Sequence, residues 1–209
     1  MVQQWLDMAV QRRTQPNPNA MTLATVDARG YPSARIVLCK SIVPKPGYLT
    51  FYTNYLSRKG QELAATPRAA IVMHWDHLHR QVRVEGRIVK ASATDSDRYF
   101  ATRHWQSRIS AWASHQSMPI ASRAELLQEV ALVAQQMGIP KTRGRRLPES
   151  DVIIPRPPYW GGYQLWADAV ELWIEGAARI HDRARWTRTL VNLRTGFKCG
   201  AWSATRLQP

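Results

Sequence analysis

Cysteine is nearly missing from this 209-residue chain, which holds only Cys39 and Cys199. Two thiols cannot staple a chain of this size or build a four-ligand zinc site alone, so reduced cysteines and a self-supporting core are expected. Long apolar runs are missing too. No stretch approaches the roughly 18 consecutive apolar residues of a membrane-spanning helix. The opening MVQQWLDMAVQRRT is amphipathic and lacks a signal-peptide core, so a cytoplasmic protein with no membrane partner is expected. No G-x-G-x-x-G turn follows a strand, and strands and helices do not alternate regularly, which disfavours a dinucleotide-binding fold. Acidic residues are scarce, with 15 Asp and Glu against 29 Lys and Arg, a formal charge of +14. That excess must repel itself or meet anions.

What is present is enough for one core. Hydrophobic residues make up 44% of the chain, so residues 1–209 read as a single domain, with 1–18 as N-terminal helix and linker and 138–158 as a loop. Arg143, Arg145 and Arg146 form a run inside that loop, where charge is readily solvated. Other cations, among them Arg35, Lys40, Arg58, Lys59, Arg80, Arg103, Arg179 and Arg183, stand singly among structured stretches. Scattered cations that converge in space suit small anions better than a nucleic-acid backbone.

Residues 2–14 read as a helix with Trp5, Leu6 and Val10 on one side, ended by Pro16-Asn17-Pro18. Short β-rich runs follow at 20–26, 33–38 and 48–53, separated by turn residues as in antiparallel hairpins. Ser57 can cap a helix reaching Ala65. Strands are expected at 69–74 and 81–90, the latter alternating Val82, Val84 and Ile88 with Arg83, Glu85 and Arg87. Thr94 is read as the cap of a helix through Arg103, with a further turn or two over 107–113. Ser122 to Glu125 forms a capping box opening a helix with Leu126, Leu127, Val130 and Val133 towards the core. Residues 162–174, 179–186 and the terminal segment read as strands. The fold class is therefore mainly β with helices (α+β), a small barrel with helical decoration.

Four stretches carry candidate chemistry. Arg35 and Lys40 bracket an apolar strand and, an odd number of residues apart, point to opposite faces; strand-end charges reaching solvent fit the spacing equally. Ser57-Arg58-Lys59 sits at a helix start, where free N–H groups and the dipole favour a phosphate. Tyr99 and Arg103 at i,i+4, followed by Ser107, could hold a second phosphate, although such pairs are common on plain surface helices. After Trp160-Gly-Gly-Tyr, residues Arg179, His181 and Arg183 alternate in an expected strand and share one face, with no carboxylate on that face to offset them. His74, His77 and His79 are too irregularly spaced for a metal site, so no metal is expected.

These stretches, in this order from about Asn19 to Arg183 and again at Arg206-Leu-Gln-Pro209, resemble the pyridoxamine 5′-phosphate oxidase family. The resemblance implies an FMN-binding split β-barrel homodimer with FMN at the subunit interface. By motif, Arg35, Ile36, Val37, Leu38, Lys40, Tyr52, Thr53, Arg58, Lys59, Gln81, Gln116, Ser117, Trp160 and Arg183 match cofactor-binding positions. Lys40, Tyr99, Arg103, Ser107, Arg179 and His181 match substrate-binding positions, and Arg179 with His181 the catalytic pair beside the pyridine ring. The implied activity is oxidation of pyridoxamine or pyridoxine 5′-phosphate to pyridoxal 5′-phosphate, with O2 reduced to H2O2. A paralogue acting on another aromatic metabolite, of the kind found in phenazine biosynthesis, and a non-catalytic flavin or pyridoxal phosphate binder are the alternatives. The chain departs from the family pattern at Arg108, where a neutral residue is usual, and at Leu172-Trp-Ile-Glu-Gly176.

Overall fold

Period-2 alternation becomes sheet throughout the first half of the chain. A computed structural model describes residues 1–139 and 153–209; the Arg143, Arg145 and Arg146 run and most of the 138–158 loop lie outside them. The strands are β1 (Ala20–Val26), β2 (Pro32–Leu38), β3 (Ser41–Val43), β4 (Tyr48–Asn54), β5 (Arg68–Trp75), β6 (Arg80–Lys90), β7 (Trp160–Ile174), β8 (Asp182–Thr187), β9 (Leu190–Asn192), β10 (Phe197–Cys199) and β11 (Ser203–Leu207). Nine of them form one sheet in the order β11-β8-β7-β6-β5-β1-β2, with β4 joining β3 to β7, while β9 and β10 pair separately. The hairpin order makes successive partners antiparallel, with Leu23 opposite Arg35 and Val84 opposite Ile71. The helices are α1 (Val2–Arg12), α2 (Arg58–Ala65), α3 (Ala93–Ala101), α4 (Trp105–Ala113) and α5 (Arg123–Gln136). The fold is thus mainly β with helices, the expected class.

The chain gathers into two compact units. Unit 1 is Met1–Phe51, Glu62–Val89 and Tyr163–Pro209; unit 2 is Tyr52–Gln61 and Lys90–Gly162. In unit 1, Leu23, Phe51, Met73, Trp75, Val82 and Leu165 are wholly buried, each contributing about 1.5–3 kcal/mol of apolar burial. The Trp75 indole N–H donates to the Pro18 carbonyl at 2.7 Å, so this large ring is buried without an orphaned donor. In unit 2 the core is Phe100, Ile109, Ile154 and Trp160, with Val130 and Val133 of α5 packed against it.

Several local expectations are corrected. The buried face of α1 is Trp5 and Ala9, while Val10 is exposed, because position i+5 lies far round a 3.6-residue turn from position i. Ser92, whose hydroxyl accepts from Asp95 N–H at 3.0 Å, caps α3 in place of Thr94. That helix ends at Ala101, so Arg103 lies in the turn beyond it. Leu127 points to solvent, although Ser122 does cap α5 by accepting from Glu125 N–H. Strand β8 begins only at Asp182, so Arg179 and His181 precede it.

Candidate functional site

In unit 2, strand β4, helix α3 and the start of β7 bring three aromatic rings together nearly parallel. Tyr52 lies 3.9 Å from Tyr99 at 19° and 5.6 Å from Trp160 at 12°, and Phe100 meets Trp160 edge-on at 5.0 Å. Tyr52 packs closely on the start of β7 because position 162 is glycine: a Cβ there would lie 2.9 Å from the Tyr52 ring. Arg103 lies over Trp160 at 4.7 Å and Phe100 at 5.5 Å. Its Nη1 is buried with no hydrogen-bond partner among the described residues, and desolvation holds its pKa below the usual guanidinium value. Burial likewise raises the phenol pKa of Tyr52. A buried guanidinium nitrogen without an acceptor beside flat rings is what an anionic aromatic ligand would satisfy. Ser107 is exposed in the first turn of α4.

A second polar group in the same unit forms where β4 runs into α2. Lys59 Nζ donates to Gln116 Oε1 at 2.9 Å, to Ser57 Oγ at 3.3 Å and to Thr53 Oγ1 at 3.4 Å, and Thr53 also donates to Gln116 at 3.1 Å. Ser57 Oγ accepts from Gly60 N–H, as an N-cap should, and donates to the Asn54 carbonyl at 2.7 Å. Arg58 is exposed in the first turn. The loop that delivers Gln116 is tied down by the Asn54 amide, which donates to the Ser114 carbonyl, and Ser117 takes a left-handed φ of 76°. Thus Tyr52, Tyr99, Arg103 and Trp160 form one cluster, and Thr53, Lys59 and Gln116 another.

In unit 1, Arg35 on β2 is bound into a largely buried network. It pairs with Glu62 at 3.1 Å, and Glu62 also accepts from Ser33 at 2.8 Å and from Thr25. Ile36 is 65% exposed on this edge strand, Val37 and Leu38 are half-buried, and Lys40 follows the strand with its N–H bonded to Thr50 O. Gln81 opposes His74 where β5 pairs with β6. Cys39 is buried, which pushes its thiol pKa up to about 11 and leaves it a poor nucleophile.

The expected row of Arg179, His181 and Arg183 on one strand face is overturned. Arg179 lies in a 3-10 turn with φ 64° and His181 in the following loop; only Arg183 belongs to β8. The expectation of a face without carboxylates fails as well. Arg183 donates to Glu171 Oε1 through Nη2 at 2.8 Å and Nε at 3.1 Å, and its Nη1 reaches the Gln208 carbonyl at 3.0 Å. Arg83 and Arg185 extend the network to a second carboxylate, with Arg83 3.3 Å from Glu171 and Arg185 2.7 Å from Glu85. Hydrogen bonds from Arg185 hold the Glu85 carboxyl below its ordinary range. Arg183 also borders a cavity of about 200 Å³ shared with Met1 and Trp5 of α1. No group of His, Cys, Asp or Glu able to hold a metal gathers among the described residues.

Reasoning from sequence missed Glu62 and Glu171 as the partners of Arg35 and Arg183. Glu171 stands in the expected strand 162–174, but its diagonal approach to Arg183 depends on the register that sets Trp173 opposite Arg183, which the sequence does not encode.

Residues 8–137 match the family described as pyridoxamine 5′-phosphate oxidase, and residues 160–209 match the pyridoxine 5′-phosphate oxidase C-terminal dimerisation region. A pyridoxine/pyridoxamine 5′-phosphate oxidase of Paraburkholderia phytofirmans is 47% identical over 205 residues, covering 98% of this chain and 85% of that protein. The one from Paracoccus denitrificans is 47% identical over 188 residues, covering 88% of this chain and 79% of its own length. Among solved structures, PhzG from Burkholderia lata 383 in complex with tetrahydrophenazine-1-carboxylic acid is similar with a TM-score of 0.80 and 28% identity, covering 100% of this chain and 90% of that one. A pyridoxamine 5′-phosphate oxidase-related, FMN binding protein of Nostoc punctiforme, 16% identical with a TM-score of 0.72 over 99% of this chain and 96% of that one, shares the fold. On this evidence the chain belongs to the pyridoxamine 5′-phosphate oxidase family.

Proposed function

We propose that this protein is a cytoplasmic, homodimeric FMN-dependent oxidase that converts pyridoxamine or pyridoxine 5′-phosphate to pyridoxal 5′-phosphate, reducing O2 to H2O2. The observation that carries the reading is Arg103, a cation held on aromatic faces with a buried nitrogen lacking an acceptor. A phosphate monoester on a flat ring supplies the missing acceptor. The donor set at the start of α2 fits the phosphate of FMN: Lys59 and Arg58 bring charge, while the helix start brings N–H groups. The names of relatives nearly half identical over most of the chain support the same reading, and the match to a dimerisation region supports the homodimer.

When bound, FMN would supply a two-electron acceptor that O2 can reoxidise, held by the cofactor-site residues named below. The protein's share is position and charge. Tyr99, Arg103 and Ser107, with Lys40, bind the substrate phosphate; Arg179 and His181 orient its ring. Arg35, Ile36, Val37, Leu38, Tyr52, Thr53, Gln81, Gln116, Ser117, Trp160 and Arg183 complete the flavin site.

The similarity to PhzG favours a second reading, an oxidase for a larger aromatic carboxylate. Anaerobic addition of pyridoxamine 5′-phosphate to FMN-loaded protein separates the two. Bleaching of the flavin bands followed by peroxide on aeration is the expected result. A protein that holds FMN but is bleached by neither B6 phosphate favours the second reading, and one that cannot be loaded with FMN refutes both.

A further inference from the structure

We infer that Arg108 anchors a second anion site in unit 2, one that takes a carboxylate or phosphate edge-on through its guanidinium. Helix α4 carries this cation in the middle of its buried face. By helical periodicity Arg108 lies between Ala111 on one side and Trp112, Trp105 and Ile109 on the other, while Gln106, Ser107 and Ser110 make up the exposed face. Arginine on an apolar face ordinarily lays its stem along the surface and leaves its head in water. Arg108 does not. The residue is 8% exposed, and its Nε is buried with no hydrogen-bond partner among the described residues.

No acid among the described residues offsets this charge. In the same unit Asp95 pairs with Arg98 at 3.3 Å and Asp97 with Arg156 at 2.6 Å, and neither Glu125 nor Glu129 of α5 forms an ion pair with Arg108. Position 108 is also one at which the chain departs from the family pattern, which has a neutral residue there. A buried cation without a partner is costly, and a bound anion supplies the missing charge. The open nitrogen fixes the shape of that anion. Nε and the adjacent Nη form the flat edge of a guanidinium, two parallel N–H donors matched to the two oxygens of a carboxylate or phosphate. Half-buried Trp105 and Trp112 share the helix face with this edge and offer apolar walls. Arg103 is a separate donor, since its orphaned nitrogen is Nη1 and its guanidinium lies over Trp160 and Phe100. The site stands whether or not the protein oxidises a B6 phosphate.

The test is thermal unfolding of FMN-saturated protein at constant ionic strength, with chloride exchanged for inorganic phosphate or for benzoate. Arg103→Met is the background, so that an anion at Arg103 does not contribute. Its Tm should rise saturably, by roughly 5–11 °C at a hundredfold the dissociation constant. Adding Arg108→Met or Arg108→Gln should abolish the rise. A rise that survives both double variants would place the anion elsewhere and overturn the inference. So would no rise at all, and a rise in the parent that Arg103→Met alone removes would merge the two sites into one. The two probes separate the sources of the anion: tighter binding of benzoate assigns it to an aromatic acid, and tighter binding of phosphate to a free oxyanion. A second measurement needs no ligand. In chloride, Arg108→Met should unfold at the parent's Tm or above it, because an unpaired buried charge is lost; a lower Tm would show that the chain itself satisfies the guanidinium, and the site would fall.

Discussion

Replacing Arg103 by methionine removes the cation and keeps much of the stem that packs on Trp160 and Phe100. A buried nitrogen without an acceptor costs about 1–3 kcal/mol in the ligand-free protein. The ring contacts offset this by about 0.5–2 kcal/mol. The difference predicts that Arg103→Met changes the stability of the ligand-free protein by about −1 to +2.5 kcal/mol, stabilising over most of that range. Substrate binding should move the other way. One charge-assisted hydrogen bond to phosphate is worth about 1.5–3 kcal/mol, so KM for pyridoxamine 5′-phosphate should rise roughly 10- to 150-fold. Urea unfolding followed by tryptophan fluorescence measures the first effect, provided the m-value is unchanged; steady-state kinetics measure the second. A variant destabilised by more than about 1 kcal/mol would mean that Arg103 is a structural member of the aromatic cluster, since the orphaned-donor cost assumed here would then be absent. An unchanged KM would remove it from the substrate site.

Three further outcomes follow from the geometry. Lys59→Met should weaken FMN binding roughly 10- to 150-fold while scarcely changing riboflavin binding, measured by flavin fluorescence titration, because the lost bond is to phosphate. Glu85, held below its ordinary pKa of 4.5 chiefly by Arg185, contributes stability that is fully present above that value and is lost as pH falls through its lower folded pKa. The stability gap between parent and Glu85→Gln, about 1 kcal/mol or less for so exposed a pair, should therefore be full at neutral pH and close in acid; a gap that stays constant in acid would contradict the assignment. Gly161→Ala should destabilise by about 1–3 kcal/mol, since its Cβ would enter the space of the Tyr55 hydroxyl, and a neutral effect in thermal unfolding would show that Tyr55 can move aside.

What could be read from sequence was whatever depends on neighbours along the chain. The alternation of Val82, Val84 and Ile88 is a half-buried strand because side chains alternate faces, and those three residues are buried. Ser57 and Ser122 are caps for a local reason, a hydroxyl within reach of an N–H three residues on. Ser92 meets the same rule through Asp95, and Thr94, a second hydroxyl residue two positions on, looks equally able to cap from sequence alone. The three-residue β3 is too short for its period to show. Arg179 and His181 were read as strand because the left-handed turn at Ala178 and Arg179 uses residues with no preference for it. The pairing of Glu171 with Arg183, and of Glu62 with Arg35, joins separate elements, and no spacing along the chain encodes it. Family motifs single out Tyr52, Tyr99 and Trp160 one by one, whereas their gathering and the unsatisfied nitrogen of Arg103 are visible only in three dimensions.

Helix α5 contains no buried residue of its own. Val130 and Val133 only half-cover the Phe100 and Trp160 cluster, while Leu127 and Leu132 are 55% and 59% exposed. An element attached by so few apolar contacts opens locally at a small fraction of the free energy of global unfolding. Its amides should take up deuterium early, while those of β5 and β6 wait for the whole chain to unfold. The helix thereby becomes a built-in gauge: the exchange rate along α5 registers how firmly the aromatic cluster is held, and a ligand that braces Trp160 should slow it without touching the helix.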